Sequence, residues 1–306
     1  MLFQLKEIKD CHKLPLLVLV IYILTSLSSL VEFSDTSHSG GMFFAVFVLQ
    51  LLIFVIPGMF YCKILGNEGL TSSMIRPFNL SSLFFIVPAS LLLFSSNALI
   101  RLTGIYFSNG SYTPAISSVG VSGTDTVFII LVYCVCPALA EEFIFRGIVL
   151  SSYKKYGIAC SIIMSSLLFA MLHFSLNDFL LYFVSGIILA CVAFVTRSAV
   201  PCMVIHLLNN IFTLFFEGYL WQMINAQNNA VLFIFIVGSV VLLCAFVSLS
   251  QAERIIYGYA LTVSPQSNPE KKDFSTAARD LLVPLLSPAF LLCAIYFALA
   301  ATSKLH

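Results

Sequence analysis

Apolar runs of roughly membrane length alternate with short polar breaks along almost the whole chain. A crossing helix needs about 20 predominantly apolar residues. The runs at 14–33, 42–65, 80–102, 126–152, 157–174, 178–196, 199–219, 229–250 and 281–302 meet or approach that length. Polar stretches from Ser34 to Gly41, Gly66 to Asn79, Asn109 to Asp125, Glu217 to Asn229 and Gln251 to Asp280 separate them. The breaks near 155, 176 and 198 are short, so the fourth to seventh helices are expected as tight hairpins. The pattern predicts an all-α polytopic membrane protein with nine transmembrane helices, or eight if one run fails to span.

The distribution of basic residues gives an orientation. With the N-terminus placed in the cytoplasm, one side of the membrane holds Lys6, Lys9, Lys13, Lys63, Arg76, Lys154, Lys155, Arg197, Arg254, Lys271, Lys272 and Arg279. The other side holds Arg101 and Lys304, and Arg146 falls inside a span. Such a bias marks the lysine-rich side as cytoplasmic, and a missed or extra helix would have spoiled it. The first apolar run follows Lys6, Lys9 and Lys13 without a convincing small-residue cleavage pattern, so it is read as a retained span.

Composition agrees. Hydrophobic residues make up 60% of the chain and charged residues 9%, against about 25% charged in soluble domains. The net charge of +1 argues against a nucleic-acid partner. The expected organisation is a single membrane domain over 1–306. Its working core is expected over about 126–219, and a solvated cytoplasmic linker over 251–280 is marked by the polar run Ser264 to Asp273. No internal repeat is evident, which disfavours a transporter built from two similar halves. Cys62, Cys134, Cys136, Cys160, Cys191, Cys202, Cys244 and Cys293 lie in apolar runs and read as buried free thiols. Neither Cys134-x-Cys136 nor the Cys11-His12 pair has the company a zinc site needs.

Against this background a few ionisable residues stand out. Glu141, Glu142 and Arg146 interrupt the apolar run of the fourth helix, where each charge is costly and functional by default. Elsewhere inside spans lie His173, with Phe169 one turn earlier, then His206, Asn209 and Asn210. Asp178 and Glu217 fall at span ends where water reaches them, while Asn97 and Gln50 read as neutral and alone. Glu142 and Arg146 are four apart and share a face, so the arginine can hold that carboxylate charged. Glu141 points about 100° away around the helix, without that counter-charge. His206 and Asn210 are also four apart. The set supplies the parts for hydrolysing an amide. Glu141 takes a proton from water, His173 orients it, and His206 and Asn210 donate to the oxyanion.

Three motifs carry a family resemblance. Glu141-Glu142-Phe143-Ile144-Phe145-Arg146, Phe169-Ala170-Met171-Leu172-His173 and His206-Leu207-Leu208-Asn209-Asn210 occur in order, each in an apolar run. Together they resemble the CPBP (Abi) family of intramembrane proteases, related to the type II CAAX prenyl endopeptidases. The resemblance covers the fourth to seventh helices. It implies a membrane-embedded glutamate-type peptidase, with Glu141 and His173 activating water and His206 and Asn210 stabilising the oxyanion. It also brings a metalloprotease alternative, in which Glu141, His173 and His206 bind zinc. The histidines lack the H-E-x-x-H spacing, so no cofactor is expected and the metal-free reading is preferred. The implied partners are the lipid bilayer and a peptide or protein substrate, membrane-associated or lipidated: prenylated C-terminal peptides, peptide pheromones or bacteriocin leaders. The short loops suggest a bacterial inner membrane.

Plainer roles stand beside these. Glu142 and Arg146 can be a buried pair that fixes helix packing, and His173, His206 and Asn210 can be interhelical hydrogen-bond partners. For the whole protein, the alternatives are a non-catalytic immunity or scaffold protein and a proton-coupled transporter.

Overall fold

A computed structural model describes residues 2–28, 40–64, 81–108, 123–227, 229–262 and 274–303. Within them the regular structure is entirely helical. In chain order the helices are α1 (Leu2–Ser28), α2 (40–64), α3 (Ser81–Ser108), α4 (123–153) and α5 (Ile158–Met171). There follow α6 (Phe179–Thr196), α7 (Val200–Phe215), α8 (Glu217–Gln227), α9 (Ala230–Thr262), α10 (Phe274–Leu285) and α11 (Pro288–Ser303). Arg76, Lys271, Lys272, Lys304 and the segment 263–273 of the expected linker lie outside the described residues, as do the side chains of Lys6, Lys9, Cys11 and His12. The remainder of that linker is helical, since α9 continues to Thr262 and α10 begins at Phe274.

The helices are those of an integral membrane protein. Five stretches are long and apolar enough to cross a bilayer: Gly41–Lys63, Leu83–Ser108, Thr126–Tyr156, Phe179–Thr196 and Ala230–Tyr259. Two broken pairs bring the number to seven, α7 with α8 bent by 52° and α10 with α11 bent by 59°. Two further apolar helices, Lys13–Ser28 and Ile158–Met171, are shorter. By length the count among the described residues is therefore five to seven, against the nine predicted. The two other predicted runs hold the shorter helices, Lys13–Ser28 and Ile158–Met171, which fall below the spanning length. On α9, Phe235, Leu242 and Phe246 are each more than two-thirds exposed, an outer face suited to hydrocarbon.

Two apolar cores hold the bundle. One gathers Leu14, Val18 and Ile21 of α1, Ile53 of α2, Ile144, Phe145 and Ile148 of α4, Met164 and Leu168 of α5, and Cys293 and Phe297 of α11. The other gathers Phe85, Ala89 and Leu93 of α3, Leu189 and Ala190 of α6, Cys202 and Ile205 of α7, and Ala252 and Ile255 of α9. Helix α4 touches both, through Ile148 in the first and Leu150 in the second.

Helix α4 is not regular. Wide π-helical turns occupy Ile130–Val135 and Phe143–Val149. The first immediately precedes Pro137, whose ring has no N–H and crowds the carbonyl four residues back. Three carbonyls within the wide turns accept from side chains of other helices. Val132 O accepts from Gln50 Nε2 at 3.0 Å, Cys134 O from Asn210 Nδ2 at 3.4 Å, and Phe145 O from Ser165 Oγ at 2.9 Å. Gln50, which reads as isolated in the sequence, is therefore a tie between α2 and α4.

Helix α5 ends at Met171, before the end of its apolar run. Its 14 residues make it about 21 Å long, short of the ~30 Å hydrocarbon core. The chain then turns with Phe174 in the left-handed region at φ 47°, a conformation that costs a bulky residue about 1–3 kcal/mol. Phe174 is buried and packs edge-on against Tyr22 at 5.7 Å. Farther on, Ser175 Oγ donates to Asp178 Oδ2 and accepts from Asp178 N, closing the turn before α6.

Candidate active site

The recessed turn after α5 is what brings His173 into range. Depth by residue count would leave His173 nearer the outer surface than His206. With α5 stopping at Met171, the ring of Phe169 lies 5.1 Å from that of His173 and 5.8 Å from that of His206. One aromatic side chain thus spaces both imidazoles. His173 Nδ1 faces Phe169 O at 3.1 Å, and its ring is stacked on Tyr182 of α6 at 3.6 Å between centroids. These contacts fix the plane of the imidazole.

Behind the histidines lies a fully buried charged layer. Arg146 Nη1 donates to Glu142 Oε1 at 2.8 Å, and both side chains have no exposure. Arg146 Nη2 donates to Gly186 O at 3.1 Å, and the guanidinium lies 4.6 Å above the Phe169 ring. The same Glu142 oxygen faces His206 Nδ1 at 2.9 Å. A carboxylate can only accept, so Nδ1 carries the hydrogen and Nε2 is the free edge of the ring. Gly186 makes this layer possible. A Cβ there would sit 2.9 Å from the Ser166 backbone, so α6 and α5 approach as closely as they do only without one.

In front of that layer is a cavity of about 280 Å³. Glu141, His173, His206 and Asn210 all line it, whereas Glu142 and Arg146 stay behind its wall. Four of the six residues singled out in the sequence therefore share one space, and the other two support it. The cavity is not confined to the fourth, fifth and seventh helices: α3 contributes Asn97 and Arg101, and α6 contributes Tyr182 and Ser185. A second cavity, of about 380 Å³, reaches Glu141 and His173 from the side of α1 and α2, beside Thr25, Leu49 and Gln50. Among the described residues Glu141 makes no hydrogen bond or ion pair, and its Oε2 is a buried acceptor without a partner. An unengaged carboxylate between two cavities is placed to receive water.

Among the described residues no three His, Cys, Asp or Glu side chains are grouped to hold a metal ion. His206 Nδ1 faces Glu142 and His173 Nδ1 faces a backbone carbonyl, outer contacts that metal-bound and metal-free imidazoles alike make. Glu141, His173 and His206 do not form the compact three-ligand arrangement that zinc requires.

Residues 123–212 match the family model described as type II CAAX prenyl endopeptidase Rce1-like. The segment is CAAX-protease-like. It runs from the start of α4 into α7 and contains Glu141, Glu142, Arg146, His173, His206 and Asn210. At family level this supports an intramembrane CAAX-type protease. No curated protein and no solved structure matches the chain.

Several residues of the site are not apparent in the sequence. Asn97, which reads as isolated, donates through Nδ2 to Asn209 Oδ1 at 3.1 Å and accepts from Ser185 Oγ at 2.9 Å. Glu217, expected at a wet span end, is buried and accepts from Arg101 Nη1 at 2.8 Å. The four-residue spacing of Asn97 and Arg101 on one face of α3 was the available signal. For Tyr182 there was none, because an aromatic residue in an apolar run is ordinary.

Proposed function

We propose that the protein is a glutamate-type intramembrane endopeptidase. One observation carries the reading: Glu141, His173, His206 and Asn210, from three different parts of the chain, converge on one cavity, and Glu141 is left unengaged there. A water molecule held between Glu141 and His173 gives a proton to the Glu141 carboxylate, and the hydroxide adds to the peptide carbonyl carbon. The carbonyl oxygen becomes an oxyanion. Asn210 Nδ2 donates to it, exchanging its long 3.4 Å bond to Cys134 O for a charged acceptor. His206 donates from Nε2 in its imidazolium form, whose charge the Glu142 carboxylate at Nδ1 offsets. As the tetrahedral species collapses, the C–N bond breaks and the proton on Glu141 passes to the leaving nitrogen. Glu142 and Arg146 act through His206 and do not touch the substrate.

The substrate class is a peptide or protein segment that reaches the site from the bilayer, membrane-associated or lipidated. Nine crossings with a cytoplasmic N-terminus, in a bacterial inner membrane, complete the proposal. The positive-inside bias and the one-to-one overlap of the nine apolar runs with apolar helices support the topology.

Membranes carrying the wild-type protein or Glu141→Gln at equal abundance, compared by mass spectrometry of newly formed peptide termini, test the function. Termini that appear with the wild type and vanish with Glu141→Gln are expected. Identical termini would leave the chain a non-catalytic membrane partner.

A further inference from the structure

The cavity continues outward beyond the reacting groups, and its wall there is polar in an ordered way. Ser185 Oγ donates to Asn97 Oδ1 at 2.9 Å, and Asn97 Nδ2 donates to Asn209 Oδ1 at 3.1 Å. This one-way relay occupies the Asn209 carbonyl and leaves its Nδ2 without a partner among the described residues, on the cavity wall. One turn after Asn97, Arg101 is held by Glu217 through Nη1, while its Nε is a buried donor with no partner among the described residues. A structural tie between helices would be expected to end in satisfied groups. Here, two donors from α3 and α7 are left over, and both residues line the space that holds Glu141.

We infer that this wall is a subsite for the main-chain carbonyls of an extended substrate segment on one side of the scissile bond, with Asn209 Nδ2 as its principal donor. The inference rests on the peptidase reading. Asn209 lies one turn beyond His206, about 4.5 Å along the helix axis, so it serves a carbonyl within two residues of the scissile bond. From His206 to Glu217, α7 and the first residue of α8 extend about 16 Å, the length of about five extended residues. The Arg101–Glu217 pair, with Trp221 Nε1 3.5 Å from Glu217 Oε1, stands at the outer end of that length. A backbone recognised by its carbonyls explains a polar wall without a pocket shaped for one side chain. It sets reach, and leaves side-chain identity loosely specified at those positions.

The test uses the purified full-length protein in detergent and a pool of synthetic decapeptides, with cleavage sites read by mass spectrometry. Steady-state constants for the fastest-cut peptide are then compared among the wild type, Asn209→Asp and Ser185→Ala. Asn209→Asp exchanges the donor for an acceptor at constant size and is expected to raise KM about tenfold with kcat within twofold. Ser185→Ala removes the group that sets the relay's direction and is expected to raise KM about threefold. A role confined to helix packing would instead lower the melting temperature and leave KM unmoved. If Asn209→Asp does not fold, Ser185→Ala decides alone. Unchanged KM in the folded variants overturns the subsite while leaving the peptidase standing, provided the wild type cuts peptides that Glu141→Gln does not. If the wild type and Glu141→Gln leave the same peptides intact, the peptidase reading fails and the subsite with it.

Discussion

At the residue scale, the pair Glu142–Arg146 carries the tightest constraint. Both groups are removed from water and joined through Arg146 Nη1 and Glu142 Oε1, while Glu142 Oε2 and Arg146 Nε have no hydrogen-bond partner among the described residues. Removing one partner of a buried pair costs about 3–5 kcal/mol because the survivor is left uncompensated. Glu142→Gln should therefore lower the melting temperature in detergent sharply. Combining Glu142→Leu with Arg146→Met removes both charges at once and should recover part of the loss; thermal unfolding of the wild type and the two variants checks this. A second expectation concerns the His173 stack. Tyr182→Leu removes the ring that lies 3.6 Å from the imidazole, while Tyr182→Phe keeps it. The Leu variant is expected to lose at least about tenfold more kcat than the Phe variant, since misplacement of a catalytic group is costly. The charged residues of the site were legible in the sequence because charge inside an apolar run has few explanations. Asn97, Ser185 and Tyr182 were not, because neutral polar and aromatic residues are common on helix faces, and only the neighbouring helix reveals what they meet.

At the scale of elements, the apolar runs located the helices, but not their ends and bends. The run that contains α5 continues through Leu172 and Phe174, with no Gly or Pro to mark where the helix stops. The stop is set by tertiary contacts, Tyr22 packing on Phe174 and donating its hydroxyl to Leu168 O. Pro137 did signal an irregularity in α4, but not the two wide turns whose carbonyls accept from Gln50, Ser165 and Asn210. The close approach of α6 to α5 was likewise hidden, since Gly186 is one of many small residues in apolar runs. It yields a clear prediction. Gly186→Val brings atoms against the Ser166 backbone and pushes Gly186 O away from Arg146. A cost of about 1–3 kcal/mol is expected from overpacking, read as a lower melting temperature, whereas Gly104→Ala inside α3, where a Cβ would meet nothing, should leave the melting temperature unchanged or raise it slightly.

At the scale of the whole molecule, the all-helical class and the membrane setting followed from hydropathy, while the association of helices did not. The long α9 packs against α3, and α1 packs against α11 from the other end of the chain; neither pairing has a signature in a single sequence. The proposed topology is open to a direct check in a bacterial host. A phosphatase that is active only outside the cytoplasm, fused after Lys155, should be inactive, and fused after Gln227 it should be active. The reverse pattern would invert the assigned orientation. The arrangement of two cores around α4 places the costly charges where both halves of the bundle bear on them, and it leaves Glu141 as the carboxylate that faces the cavity with no hydrogen-bond partner among the described residues. The most direct measurement is therefore the single-turnover rate of wild-type protein and Glu141→Gln on the same saturating peptide. A fall of at least about a hundredfold, as expected for loss of a positioned general base, with peptide affinity unchanged, is the predicted result; equal rates would contradict it.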